Sequence, residues 1–360
     1  MHDAQASVGR ARVQGLASEV HGERQARRRP RPAAGSPSRS RFRGHRLHRA
    51  RHLLLNRRRH YLWEIGLLGV AAVWGATFPL VKCSIERCPT IKGGLGLATI
   101  RHPIPPLRYL SIRFAIAALL IAAFSVPALR GLTRRQLAIG GVIGLALCGG
   151  YIFQTFGLQR TTASNAGFLT GLYVILTPLF GAVFLRKRPP WSTGAGAVVA
   201  FAGLLLLAAP SGVGARVGDV LVLGCAVMFA VHILLVGNFA RSAPMLALVV
   251  VQLAVVAVVG GVASAITEHV SVPTEPAIWY SIGITAVLAS GVGLLMVVGA
   301  QRFIPPARAA VIYTMESPFA AMFGFLMLGE RLTGRGWAGA TLILAGMLVA
   351  ELFAPPREAL

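Results

Sequence analysis

Glu316 stands inside an apolar run, Ala309–Leu328, two residues before Pro318. A charge in hydrocarbon must face a bundle interior, pair with an opposite charge or line water. A carboxyl in that position suits two tasks: accepting a proton, or contacting a cation. The plainer alternative is a structural acid paired with a base such as Arg113. Arg113 lies near the start of another apolar run. Its planar fork either grips a substrate carboxylate, or the side chain snorkels to the interface or pairs with Glu316. Lys82 closes the first run and is a further candidate contact. His232, in the sixth run, is either a group that titrates near neutral pH or a packed, hydrogen-bonded ring. Gln252, in the seventh, divides the same way.

Aromatic and hydrogen-bonding groups extend the set. Trp74, Phe78, Tyr151, Gln154, Tyr173 and Tyr313 fall near mid-run, and Tyr151-x-x-Gln154-Thr155 and Asn165 bracket the third and fourth runs from one side. A cavity at mid-depth lined by such groups takes small amphipathic solutes. Taken singly, they are more often core or lipid-facing residues. Trp63, Trp191, Trp279 and Trp337 stand at run ends, as interface anchors do.

Other chemistry is poorly supplied. No His or Cys cluster has metal-ligand spacing, and no Gly-x4-Gly-Lys-Ser/Thr phosphate loop occurs. No cofactor is therefore expected. A hydrolase needs convergent acid and base groups. Only Glu316 and His232 are plausible acid or base groups inside the runs, and no second carboxylate accompanies them, so the chain reads as no enzyme. A membrane-embedded enzyme acting on a lipid-linked substrate is the weakest alternative.

The elements that must position these residues are membrane spans. The chain has 360 residues, of which 55% are hydrophobic and 13% charged, and a mean hydropathy of +0.65. Soluble domains carry about 25% charged residues. Ten runs are long enough to cross a hydrocarbon core of ~30 Å as helix. They are Leu62–Val81, Leu107–Val126, Leu137–Leu158, Asn165–Leu185, Thr193–Ala209, Val217–Gly237, Met245–Ile266, Ala277–Gly299, Ala309–Leu328 and Trp337–Phe353. Gly140, Gly141, Gly144, Gly167, Gly171, Gly194 and Gly196 allow close helix approach in lipid.

The chain also repeats itself. Residues 159–208 and 301–352 both begin Gln-Arg (Gln159-Arg160, Gln301-Arg302) and both carry a mid-run proline (Pro178, Pro318). Both continue into a charged turn and close on a glycine-spaced run, Ala202-Gly203-Leu204 matching Ala345-Gly346-Met347. Five spans per half is an odd number, so successive halves enter the membrane from opposite faces. The expected fold is an all-α polytopic membrane protein, with ten transmembrane helices as two inverted five-helix repeats. Residues 61–210 form the first, including an irregular loop at 83–106. Residues 211–354 form the second, and 355–360 a short tail.

Formal net charge is +24. Sixteen arginines lie in residues 1–60 against three acids. That segment is rich in Gly, Pro and Ser without an apolar period, and reads as a disordered cytosolic tail. It is an anchor for anionic headgroups, an extension that contributes nothing, or a nonspecific nucleic-acid binder; the first and second are favoured, and no specific nucleic acid is implied. An inside amino terminus puts the tail, Arg130, Arg134, Arg135 and Arg186-Lys187-Arg188 in the cytosol, with acidic loop 267–276 outside. Lys82, Arg87, Lys92 and Arg101 run against this. Both termini are assigned to the cytoplasmic side of the plasma (inner) membrane. Of four cysteines, Cys83 and Cys88 either pair in an oxidising compartment or are independent thiols, the reading the weak Cys-x4-Cys signal favours.

Several motifs resemble the EamA domains of the drug/metabolite transporter superfamily. Trp74-Gly75-x-x-Phe78-Pro79 with Lys82 is one, and Arg113-Phe114 with Ala117 another. Asn165-Ala166-Gly167-Phe168-Leu169 with Pro178, Glu316-Ser317-Pro318 and Gly329-Glu330-Arg331-Leu332 complete the series. The resemblance covers Leu62–Phe353. It departs at Arg186-Lys187-Arg188, where the family more often has Gly-Glu-Arg. It implies a secondary transporter of small metabolites, such as amino acids or drug-like compounds, working by alternating access without ATP hydrolysis. The implied partners are a small-molecule substrate, the lipid bilayer and possible protons. A lipid or lipid-carrier flippase of the same fold differs only in cargo.

Overall fold

The computed structural model describes residues 39–86, 100–184, 191–208, 213–239, 241–269, 271–303, 309 and 312–353. By contacts the chain divides into Met1–Arg57 and Arg58–Leu360. In the first unit the described residues are helical. Tail residues 1–38, loop residues 87–99, the turn at 186–188 and the last seven residues lie outside the described set.

Every described element is a helix. α1 is Arg39–Ile85, α2 Pro106–Ala123, α3 Val126–Arg130, α4 Arg134–Leu158, α5 Ala163–Gly171, α6 Tyr173–Phe184 and α7 Trp191–Ala208. α8 is Val213–Phe239, α9 Met245–Thr267, α10 Pro276–Ile284, α11 Gly293–Ala300, α12 Glu316–Leu328 and α13 Gly334–Leu352. A π-helical segment, Thr285–Val292, joins α10 to α11. α1 begins at Arg39, well upstream of Leu62, inside the stretch expected to lack structure. No proline interrupts the chain between Pro37 and Pro79, and leucine and arginine are good helix formers.

Seven helical stretches are long and apolar enough to cross a membrane: Leu62–Ile85, Pro106–Ala123, Arg134–Leu158, Ala163–Phe184, Val217–Phe239, Met245–Thr267 and Pro276–Ala300. Three shorter apolar helices are Trp191–Leu207, Glu316–Leu328 and Gly334–Ala350. In hydrocarbon a helix satisfies every backbone polar group internally, which a lone strand cannot. The large apolar side chains left on the surface, such as Leu119, Val198 and Ile266, suit a lipid-facing coat.

Two runs read as continuous are broken. The fourth divides at Leu172, between α5 and α6, upstream of Pro178. The ninth turns at Thr314 and Met315 before α12, upstream of Pro318. A proline lacks the N–H of the helical ladder, and its ring collides with the carbonyl four residues back.

Helix contacts are reciprocal between the halves. α2 packs on α9, α5 on α12 and α7 on α13, each pairing an expected span with its counterpart. α4 packs on α8. The exchanged pair is also present, since Trp74 of α1 donates to the Ala289 carbonyl of the π segment at 3.0 Å. At the α7–α13 seam, a Cβ on Gly203 would lie 2.6 Å from the Gly339 carbonyl oxygen, and one on Gly339 2.8 Å from that of Gly203. Gly196 and Gly346 oppose one another in the same way. Only glycine admits such backbone contact.

Candidate functional site

A cleft opens between the helices, with about 560 Å³ of empty space, part of it continuous with the outside. Trp74 and Thr77 come from α1, and Leu147, Tyr151 and Gln154 from α4. Tyr173 comes from α6, Phe229, His232 and Ile233 from α8, Leu294 and Val297 from α11, and Tyr313 and Glu316 from the broken ninth run. Seven sequence candidates therefore share one wall: Trp74, Tyr151, Gln154, Tyr173, His232, Tyr313 and Glu316.

Glu316 is buried at the first turn of α12, and its Oε2 accepts from the Tyr173 hydroxyl at 3.0 Å. It forms no ion pair with Arg113 among the described residues. Aromatic rings make a chain along the cleft. Trp74 lies 6.0 Å from Tyr313, Tyr313 6.3 Å from Tyr173, Tyr173 6.3 Å from Phe229 and Phe229 5.2 Å from Tyr151, between centroids. Such walls favour cations and apolar bodies. His232 Nε2 sits 2.9 Å from Gln252 Oε1, and the Gln252 amide nitrogen donates to the Leu248 carbonyl at 3.1 Å.

The other candidates stand elsewhere. Phe78 is core, 2% exposed, where α1 meets α5 near Gly167. Arg113 lies behind Tyr151: its guanidinium carbon is 5.2 Å from that ring and 5.1 Å from Phe114, and Nε donates to Ser290 Oγ at 2.8 Å. Lys82 Nζ donates to the Leu158 and Thr161 carbonyls at 2.8 and 2.9 Å and pairs with Glu86 at 3.0 Å. It thus closes the end of α4, a favourable place for a cation. Asn165 enters α5, its N–H bound to the Thr162 cap.

Lys82 belongs to a polar set at one end of the bundle. The Glu330 carboxylate accepts from the Ala163 and Ser164 N–H groups at 2.8 and 2.9 Å, and from the Ser164 hydroxyl at 2.7 Å. Those N–H groups are orphan donors at the start of α5. Thr161 donates to Asp219 Oδ1 at 2.6 Å. Glu268 caps α2 in the same fashion, accepting from Leu107 and Arg108 N–H at 2.9 Å each. The segment 158–164 is held by Lys82 on one side and by Asp219 and Glu330 on the other.

Sequence reasoning missed Asp219, Ser290 and the apolar walls. Phe229 and His232 are three apart on one helix face, a spacing that marks a shared surface. Cys83 is disulfide-bonded, which corrects the expectation of four independent thiols; Cys148 and Cys225 are free and buried. A bond with a nearby thiol needs only local geometry, which spacing alone does not reveal.

Apolar helices long enough to cross a membrane, packed around a cleft, define a multi-span membrane protein. A sequence profile of the EamA-like transporter family matches residues 61–209 and again 216–351, and the chain belongs to that family. An uncharacterized transporter of Archaeoglobus fulgidus is 31% identical over 290 residues, covering 80% of this chain and 85% of the relative. An uncharacterized transporter of Bacillus subtilis is 26% identical over 268 residues, covering 69% and 84%. A crystal structure sharing 20% identity superimposes at a TM-score of 0.58 over 81% of this chain and 98% of its own; that likeness concerns the fold alone.

Proposed function

We propose that this chain is a secondary transporter carrying small organic solutes across the plasma membrane by alternating access, and not an enzyme. The cleft carries the reading. Its walls come from helices of both matched segments, and Glu316 stands in it. In the proposal, ten spans form two inverted five-helix repeats, residues 61–210 and 211–354. The double profile match and the reciprocal helix contacts support that arrangement. Broken helices at mid-depth are how many carriers build a central site.

In this reading the end bearing Lys82, Asp219, Glu268 and Glu330 faces outward, and both termini are cytoplasmic. The disulfide at Cys83 supports an oxidising face there. These bonds hold the outer end shut in the present state and must part when the cleft opens outward. Protons enter through Glu316, whose carboxyl holds either a proton or the solute.

The test is growth of an overexpressing strain on a panel of amino acids, analogues and toxic cations, beside Glu316→Gln. We expect the wild type to shift tolerance to at least one compound and the variant to abolish the shift while still reaching the membrane. Unchanged tolerance in the variant removes Glu316 from the mechanism.

A further inference from the structure

We infer that the cleft selects an ammonium that still carries N–H bonds, a primary or secondary amine on an apolar body, and that His232 is the residue that reads those bonds. The inference rests on the transporter reading and names the class of solute for the same site.

Three observations carry it. First, among the described residues Glu316 is the one charged side chain in the wall, and no described lysine or arginine lines the cleft. Arg113 donates through Nε to Ser290 and packs on the faces of Phe114 and Tyr151, outside the wall itself. An anionic solute would find no counter-charge, and a neutral one would leave Glu316 without a partner charge. Second, the rest of the wall is largely aromatic, from Trp74 through Tyr313, Tyr173 and Phe229 to Tyr151. Such faces attract any organic cation, methylated or not.

The third observation separates the two kinds of cation. The Gln252 amide nitrogen donates to the Leu248 carbonyl. That bond fixes the amide, so Gln252 presents its oxygen to His232. An amide oxygen can only accept, so His232 Nε2 carries the proton. The neutral ring then offers Nδ1 as an acceptor, and that atom has no partner among the described residues. In the same wall, Tyr313 Oη is buried without a hydrogen-bond partner among the described residues. A quaternary ammonium satisfies neither acceptor. A primary ammonium brings three N–H donors to Glu316, His232 and Tyr313.

The test uses the purified full chain and four probes of matched shape: cyclohexylammonium, cyclohexyltrimethylammonium, cyclohexanol and cyclohexanecarboxylate. Binding is read from tryptophan fluorescence, since Trp74 lies in the wall. We expect the primary amine to bind about tenfold more tightly than the trimethyl compound, the worth of one good hydrogen bond to a charged donor. His232→Phe should bring that ratio to near one, and His232→Asn, which keeps an acceptor, should restore it. A wild-type ratio near one, a ratio untouched by His232→Phe, or tightest binding of the alcohol or carboxylate overturns the inference. If His232→Phe binds nothing, His232→Asn decides: a retained ratio supports the inference and a lost one overturns it. If no probe binds the wild type while the Glu316-dependent growth shift persists, this inference fails and the transporter reading stands. If the ratio holds while the overexpressing wild type shifts tolerance to no compound, the transporter reading fails instead.

Discussion

Tyr173 and Tyr313 meet with ring centroids 6.3 Å apart and planes at 60°, and each stands five residues before the proline near which its helix breaks. The two halves thus deliver the same device to one cleft. They do not deliver the same charge. Glu316 precedes Pro318 by two residues, and Leu176 holds that place before Pro178. Among the described residues, Tyr173 donates to the acid.

Tyr173→Phe keeps the ring and removes that donor. A hydrogen bond to a charged group contributes about 1.5–3 kcal/mol. We expect weaker solute binding or transport together with a fall in thermal stability of that order. Titration of any solute found in the growth screen, beside an unfolding curve, checks this; unchanged affinity would detach Tyr173 from the site.

Glu330→Ala strips three hydrogen bonds from the start of α5. Loss of a helix cap costs about 0.5–2 kcal/mol, so the melting temperature in detergent should fall. Glu330→Gln keeps one amide oxygen as an acceptor and should fall less. A variant as stable as the parent would mean that water replaces the carboxylate without loss.

Gly203→Leu should wedge α7 from α13, because its side chain meets the Gly339 backbone. Overpacking costs about 1–3 kcal/mol or more. Gly194→Ala is the control, since a Cβ there meets nothing within 4 Å. Size-exclusion profiles of tagged variants should show the first lost or aggregated and the second unchanged.

Arg113→Lys discards the flat stacking on Phe114 and Tyr151 and the Nε bond to Ser290. Arginine and lysine do not interchange at a stacked site. Stability should drop, while the rank order of solutes stays fixed because Arg113 is not in the wall. A changed rank order would return Arg113 to the site.

The apolar runs were legible because lipid forces a run of fixed length, and the paired prolines left a mark in spacing within the two segments that the EamA-like profile matches. Glu316 was legible since an acid in hydrocarbon is conspicuous. Lys82 and Arg113 misled for the same reason: their cost is visible in sequence, but what relieves it is not. Carbonyls at the end of α4 relieve Lys82, and two rings and a serine relieve Arg113, all from distant parts of the chain. The breaks at Leu172 and Thr314 were foreshadowed by Pro178 and Pro318, yet a hydropathy run cannot show a half-turn of lost helix. Leu147, Ile233, Leu294 and Val297 carried no signal, as an apolar side chain facing a cleft looks like one facing lipid.

The glycine seam has a mechanical consequence. Where backbone lies on backbone there is no room for side chains between the helices. Under the proposed alternating access, α7 and α13 would move as one unit about which the rest rocks. A covalent tie between α7 and α13 should therefore leave solute flux intact, while one between α5 and α12 should stall it.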